Sequence, residues 1–140
     1  MGDRGRFCTA TMATVTPSGD GVRVRMTAAG HPQGVLLTRD GKASLVGGSG
    51  SLLGVFEDLS LSDDALHLAP GDCLVLYTDG VTERRDGGRM FGEEGLLAVC
   101  AAAAGAGAQD VAGMVEQAVR DFGGEASRDD LAVLVVRATA

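Results

Sequence analysis

The chain has 140 residues, of which 45% are hydrophobic and 22% charged, which is ordinary usage for one globular domain. Its formal net charge is −7 and it has no run of basic residues, so we expect no nucleic-acid partner. It has no apolar run long enough for a membrane helix and no signal-peptide pattern, which favours a cytoplasmic location without a membrane partner. Its three cysteines, Cys8, Cys73 and Cys100, are widely spaced, which favours a reducing compartment, and they are expected to be small buried apolar residues.

The first half of the chain consists of short segments separated by turn signals, which indicates an antiparallel β region. Apolar and polar residues alternate over Val22–Ala28 and, more weakly, over Phe7–Val15, and the turn between them predicts a hairpin. A second hairpin is predicted from strands at 35–37 and 43–46, because Asp40-Gly41 between them is a strong two-residue turn signal.

The second half is predicted to contain further strands and two helices. Strands are expected at 65–68 and 73–77, on either side of a Pro-Gly turn. Helical spacing of apolar residues predicts helices over Glu93–Ala104 and 108–122, the second with Met114 on its buried face. Since Leu131–Val136 is apolar throughout, it is predicted to be a central strand buried on both faces. The order of elements predicts an α+β fold with helices packed on an antiparallel sheet or sandwich.

Two acidic positions are predicted to meet at one end of this sheet. The apolar strand through Leu74–Tyr77 is followed by Asp79 and by Gly80, which permits a tight turn. Asp129 and Asp130 precede the last strand, and they fall at the same end as Asp79 if the two strands are antiparallel neighbours. Convergent carboxylates without a basic partner are typical of a Mg²⁺ or Mn²⁺ site. The spacing alone also fits an ordinary turn and a solvated cap.

The same residues carry a resemblance to a known family. The stretch Leu68–Glu83 (LAPGDCLVLYTDGVTE) resembles the signature of the bacterial PPM (PP2C-like) phosphatases of the SpoIIE/RsbU type. Ala-Gly-His-Pro at 29–32, Leu53-Gly54, Met90–Gly92 and Asp129-Asp130 match further family elements in the family's order. The resemblance implies an antiparallel β-sandwich flanked by helices, with a binuclear Mn²⁺ or Mg²⁺ site at one end. It also implies hydrolysis of phosphoserine or phosphothreonine on a regulatory protein, typically an anti-anti-sigma protein of the STAS type in partner switching.

The resemblance assigns roles to a few residues. Asp79 and Asp129 match two family acids that ligate the same metal ion, and they are the expected metal ligands. Gly80 and Asp130 lie beside these ligands and are expected to support them. His31, in the Gly-His-Pro element, is expected to be a structural residue that makes a local hydrogen bond near a strand end. We assign no catalytic nucleophile or general base.

One family element is absent. The family's first metal motif, Asp-x-x-Gly-x-Gly, does not occur in the sequence. Residues 1–140 therefore resemble about the last two thirds of the family's domain, and the sandwich is expected to be incomplete, with uncovered apolar surface that favours self-association. Because the absent aspartate bridges both metals, we expect at most one weakly held ion and a phosphatase activity that is impaired or lost. The alternative is a non-catalytic binding module, or a gene fragment, that keeps the fold and docks a partner-switching regulator.

Overall fold

The computed structural model describes residues 5–48, 50–123 and 130–139. The strands within these ranges are β1 (Ala10–Pro17), β2 (Val22–Ala29), β3 (Gly34–Leu37), β4 (Ala43–Val46), β5 (Asp63–Leu68), β6 (Cys73–Tyr77), β7 (Arg85–Asp86), β8 (Arg89–Met90) and β9 (Val133–Arg137). The helices are α1 (Asp79–Thr82), α2 (Gly92–Ala102) and α3 (Ala108–Gly123). None of these helices is both long and apolar enough to cross a membrane.

Two antiparallel sheets pack face to face. One has the strand order β1-β2-β5 and the other β4-β3-β6-β9. The apolar side chains between them form one buried cluster, whose fully or almost fully buried members are Val24, Met26, Leu68, Leu74 and Ala138. The fold is therefore the α+β sandwich that the sequence predicts.

Both predicted hairpins are confirmed. β1 pairs with β2 over eight positions, from Ala10 opposite Ala29 to Pro17 opposite Val22. β3 pairs with β4 around Gly41, whose φ of +98° is rarely adopted by residues with a side chain. The Pro-Gly turn after β5 does not form a hairpin, because β5 pairs with β2 whereas β6 pairs with β3 and β9. That turn carries the chain from one sheet to the other.

The helices α2 and α3 cover the outer face of the second sheet, and both lie within a few residues of their predicted bounds. A second buried cluster joins the two helices to β3 and β6, and its fully buried members include Val35, Val75, Leu96, Cys100, Val111 and Val115. In β6, Leu74 faces the other sheet and Val75 faces the helices, and both are fully buried. β6 is therefore a central strand, flanked by β3 and β9 and covered on both faces.

Three sequence-based expectations are wrong. The last strand, β9, lies at the edge of its sheet rather than at its centre, and Leu134 is 61% exposed. Met114 is exposed, because the buried face of α3 follows a strict spacing of four through Val111, Val115 and Val119. Cys8 is exposed as well, instead of packing as a small apolar residue. An apolar pattern shows that a segment can be buried, but the elements that pack against it determine how much of its surface is buried.

The other two cysteines are buried, as predicted. Burial raises the pKa of the Cys100 thiol to about 11, and the neighbouring Cys73 adds to this effect. Burial also raises the pKa of Cys73. Both thiols are therefore protonated at neutral pH, and they behave as small apolar side chains rather than as nucleophiles.

Among the described residues, half of the exposed large apolar side chains lie on the long loop between β4 and β5 and just before β1. They are Phe7, Val55, Phe56, Leu59 and Leu61, each at least 44% exposed, and the others are spread over β1, β8, α3 and β9. The loop and the segment before β1 are joined by two backbone hydrogen bonds between Cys8 and Leu53, both 3.1 Å long. Self-association through uncovered apolar surface stays a prediction, and in the described part of the chain this loop and the segment before β1 carry the largest group of such side chains.

Candidate active site at the end of the central strand

The candidate site lies where β6 ends and β9 begins. The two strands are antiparallel, with Tyr77 opposite Val133, so residues after β6 and before β9 lie at the same end of the sheet, as predicted. Asp79 and Asp130 are both exposed at this end. Asp129 lies outside the described residues, and its pairing with Asp79 therefore stays a prediction.

Asp79 begins a single helical turn, α1, where the sequence predicted a tight turn. The N–H of Val81 donates to the carbonyl of Thr78 at 3.0 Å, and the N–H of Glu83 donates to the carbonyl of Asp79 at 2.8 Å. Val81 is fully buried in the cluster beneath α2 and α3, and Gly80 is buried beside it. The buried valine anchors the turn, while the carboxylate of Asp79 stays exposed to solvent.

Thr78 joins the two strands at this point. Its N–H donates to the carbonyl of Ala132 at 3.1 Å. Its hydroxyl accepts the N–H of Ala132 at 3.0 Å and donates to the carbonyl of Asp130 at 3.1 Å. The backbone of Asp130 is thus held next to the residue that precedes Asp79.

His31 holds the same strand end from another direction. Its Nε2 lies 2.9 Å from the carbonyl oxygen of Tyr77, and its Nδ1 lies 3.1 Å from Oγ1 of Thr9. Because a carbonyl oxygen only accepts, Nε2 donates, and the ring links the approach to β1 with the end of β6. The expectation that His31 is a structural residue near a strand end is confirmed.

A cleft of about 470 Å³ opens beside Asp79. Its lining residues are Thr9, Gly30, His31, Pro32, Thr78, Asp79, Thr82, Glu83 and Glu93. Three of them are exposed carboxylates, and none is a lysine or arginine. An acidic cleft of this kind favours a cation and repels a free anion.

Sequence reasoning missed Glu83 and Glu93 as part of the cleft. Glu83 follows Asp79 by four residues, and in a helical turn this spacing places both side chains on one side. The sequence predicted a tight turn here rather than a helical one, so the spacing did not indicate Glu83. Glu93 is in the first turn of α2 and reaches the cleft only because of how α1 and α2 lie relative to each other. No local pattern carries that information.

The described residues do not by themselves complete a metal site. Over residues 5–48, 50–123 and 130–139, no group of three histidine, cysteine, aspartate or glutamate side chains is arranged to hold an ion. Mg²⁺ takes six ligands, most of them oxygen, and a site with few protein carboxylates leaves the remainder to water. Of the two predicted ligands, the described part of the chain supplies Asp79.

Comparisons with known structures give the same fold. The phosphatase domain of SpoIIE from Bacillus subtilis, presoaked with Mn, is 17% identical, with a TM-score of 0.65 over 94% of this chain and 57% of that one. The RsbU and RsbW domains of Rv1364c from Mycobacterium tuberculosis are 26% identical, with a TM-score of 0.66 over 86% and 35%. PppA, a regulatory component of the type VI secretion system (T6SS) in Pseudomonas aeruginosa, is 24% identical, with a TM-score of 0.64 over 91% and 56%.

The chain spans less than two thirds of the length of each of these structures. No curated protein sequence matches the chain significantly. The family described as Stage II sporulation protein E (SpoIIE) matches residues 1–139, which is nearly the whole chain. The sandwich, the flanking helices and the end of β6 are thus those of a PP2C-like phosphatase fold of the SpoIIE/RsbU type, and the chain belongs to the Stage II sporulation protein E (SpoIIE) family.

Proposed function

We propose that this chain is the site-bearing part of a metal-dependent protein phosphatase that removes phosphate from serine or threonine. The observation that carries the proposal is the position of Asp79. It is an exposed carboxylate at the joined ends of β6 and β9, beside an acidic cleft, in a chain of the SpoIIE family. The similar Bacillus subtilis phosphatase domain was presoaked with Mn, which supports the choice of a divalent cation.

The acidic lining gives a physical reason for the cation. A phosphate group that enters the cleft meets the carboxylates of Asp79, Glu83 and Glu93 and is repelled by them. A bound Mn²⁺ or Mg²⁺ supplies an activated water and offsets the negative charge that develops on phosphate. We propose that Asp79 and Asp129 hold this ion, with Gly80 and Asp130 as supporting neighbours, and that water completes its ligand shell.

The proposed activity is low in this chain by itself. The 140 residues contain no Asp-x-x-Gly-x-Gly, the family motif whose aspartate bridges two metals. Two carboxylates bind a single hydrated ion weakly, and a second ion would be repelled by the first without a bridging charge between them.

For the substrate we propose a cytoplasmic phosphoprotein of the STAS type that takes part in partner switching. The similarity to a mycobacterial chain with RsbU and RsbW domains supports this class, because RsbU-type phosphatases are expected to act on such regulators. The phosphorylated residue must reach an open cleft rather than a deep pocket, which suits a protein surface as the substrate.

A second candidate function is a binding module without catalysis. It is favoured by the lack of a three-ligand group among the described residues. In that case the acidic end of the sandwich docks the same phosphoprotein or its kinase, and no phosphate is released.

A phosphate-release assay separates the two functions. With Mn²⁺ and a phosphoserine peptide, the wild type is expected to release phosphate slowly. Asp79→Asn is expected to reduce the rate at least about tenfold, because changes to residues around a bound metal commonly lower metal affinity or activity by that much or more. Asp20→Asn is the matched control, because Asp20 is exposed in the turn between β1 and β2, at the other end of the sandwich. Binding of a phosphorylated STAS protein without any phosphate release would favour the binding module.

A further inference from the structure

We propose that Thr78 is a positioning residue, whose hydroxyl sets the spacing between Asp79 and the chain entering β9 and thereby the affinity of the site for a divalent cation. The inference rests on the proposed function. It starts from the two hydrogen bonds of one hydroxyl, which accepts the N–H of Ala132 at 3.0 Å and donates to the carbonyl of Asp130 at 3.1 Å.

The hydroxyl of Thr78 replaces a backbone carbonyl as the acceptor where the hydrogen-bonded pairing of β6 with β9 ends. In a continuing antiparallel pair, the N–H of Ala132 would donate to the carbonyl of Thr78. That carbonyl instead accepts the N–H of Val81, because α1 begins at the next residue. The side chain of Thr78 therefore lets β6 turn into a helix at Asp79 while β9 remains attached to it.

Two ordinary reasons for a threonine at this position do not account for its contacts. As the residue before a helix, Thr78 would use its hydroxyl to cap the first N–H groups, yet it makes no such hydrogen bond. As a strand residue it would merely pack well against its neighbours. Its hydroxyl points across the strands instead, to the carbonyl of Asp130 and the N–H of Ala132.

The consequence concerns both predicted ligands. Asp79 follows Thr78 directly, and Asp130, whose carbonyl Thr78 binds, follows Asp129 directly. The preceding residue, Tyr77, is held through its carbonyl by His31 at 2.9 Å. If Thr78 loses its hydroxyl, the entry into β9 gains freedom that a bound ion must then restrict, and the affinity for the ion falls.

The test compares three variants by the electron paramagnetic resonance signal of free Mn²⁺ during a titration. Thr78→Val keeps the shape and removes the hydroxyl, and it is expected to weaken Mn²⁺ binding at least about tenfold. Thr78→Ser keeps the hydroxyl and is expected to bind like the wild type. Thr16→Val, on the exposed strand β1 at the far end of the sandwich, is the matched control and is expected to leave binding unchanged. Thermal melts identify any variant that has lost its fold.

A measurement on the wild type covers the case in which Thr78→Val does not fold. Hydrogen exchange should show the amide of Ala132 protected like those within β9, because the hydroxyl of Thr78 is its acceptor. Rapid exchange at Ala132 would overturn the proposal.

The outcomes also separate this inference from the proposed function. If Asp79→Asn loses Mn²⁺ but a folded Thr78→Val retains it, the metal site stands and the role of Thr78 is wrong. If the wild type binds no Mn²⁺, the metal site is wrong, and the positioning role is wrong with it.

Discussion

Replacement of Leu74 by alanine is expected to lower the free energy of unfolding by about 3 to 5 kcal/mol. Leu74 lies in the middle of β6 and is fully buried between the two sheets, where it packs in one cluster with Met26 and Leu68. Removal of its side chain leaves a cavity that the close-packed sheets can fill only in part. Since typical domains are stable by only about 5 to 15 kcal/mol, the variant should be close to unfolding. Urea denaturation followed by circular dichroism measures the difference.

Leu134→Ala is the matched control for this prediction. It makes the same chemical change on the neighbouring strand β9, at a residue that is 61% exposed. Substitutions at exposed positions away from special features usually change stability by less than about 0.5 kcal/mol, and a partly exposed leucine should stay near that range. Equal losses in Leu74→Ala and Leu134→Ala would mean that β6 is not the central strand.

The second large effect is expected at Asp72, in the turn that carries the chain between the sheets. Its side chain is buried, and its two carboxylate oxygens accept the backbone N–H groups of Arg39 and Ala69, each at 3.0 Å. Asp72→Ala leaves both donors without this acceptor, and each unsatisfied donor costs about 1 to 3 kcal/mol when buried. We therefore expect a loss of about 2 to 4 kcal/mol, since both donors gain some contact with water. A thermal melt with van't Hoff analysis measures it.

Two controls accompany the Asp72 prediction. Asp72→Asn keeps one acceptor oxygen of similar shape and should be less destabilising than Asp72→Ala. Asp20→Ala removes an exposed aspartate from the turn between β1 and β2 and should have little effect. If Asp72→Ala is no more destabilising than Asp20→Ala, the turn does not depend on this carboxylate.

The elements that sequence reasoning predicted well are those that local patterns determine. The hairpin around Gly41 follows from two turn residues between alternating segments, and the helix α2 follows from apolar spacing over about three turns. The position of β9 could not be predicted in this way. Its residues are as apolar as those of β6 and they contact both clusters, but β6 has a strand on each side whereas β9 lies at the edge of the sheet and is only partly buried.

The candidate site was predictable to a similar extent. Asp79 was found because an apolar strand followed by an acid and a glycine places a carboxylate at a sheet end, and the antiparallel pairing of β6 with β9 confirms the shared end. The role of Thr78 could not be predicted, because its hydroxyl contacts depend on the register between two strands that lie more than 50 residues apart. Glu93 was missed for the same reason, since only tertiary packing brings it to the cleft.

The most direct test of the metal site is a calorimetric titration of Mn²⁺ into the wild type, Asp79→Asn and Asp20→Asn. Asp79 is the one predicted ligand within the described residues, and it is exposed beside two further carboxylates. The wild type and Asp20→Asn are expected to bind one Mn²⁺ weakly and alike, and Asp79→Asn is expected to show no binding heat in the same range. Equal Mn²⁺ binding by the wild type and Asp79→Asn would contradict the proposed site.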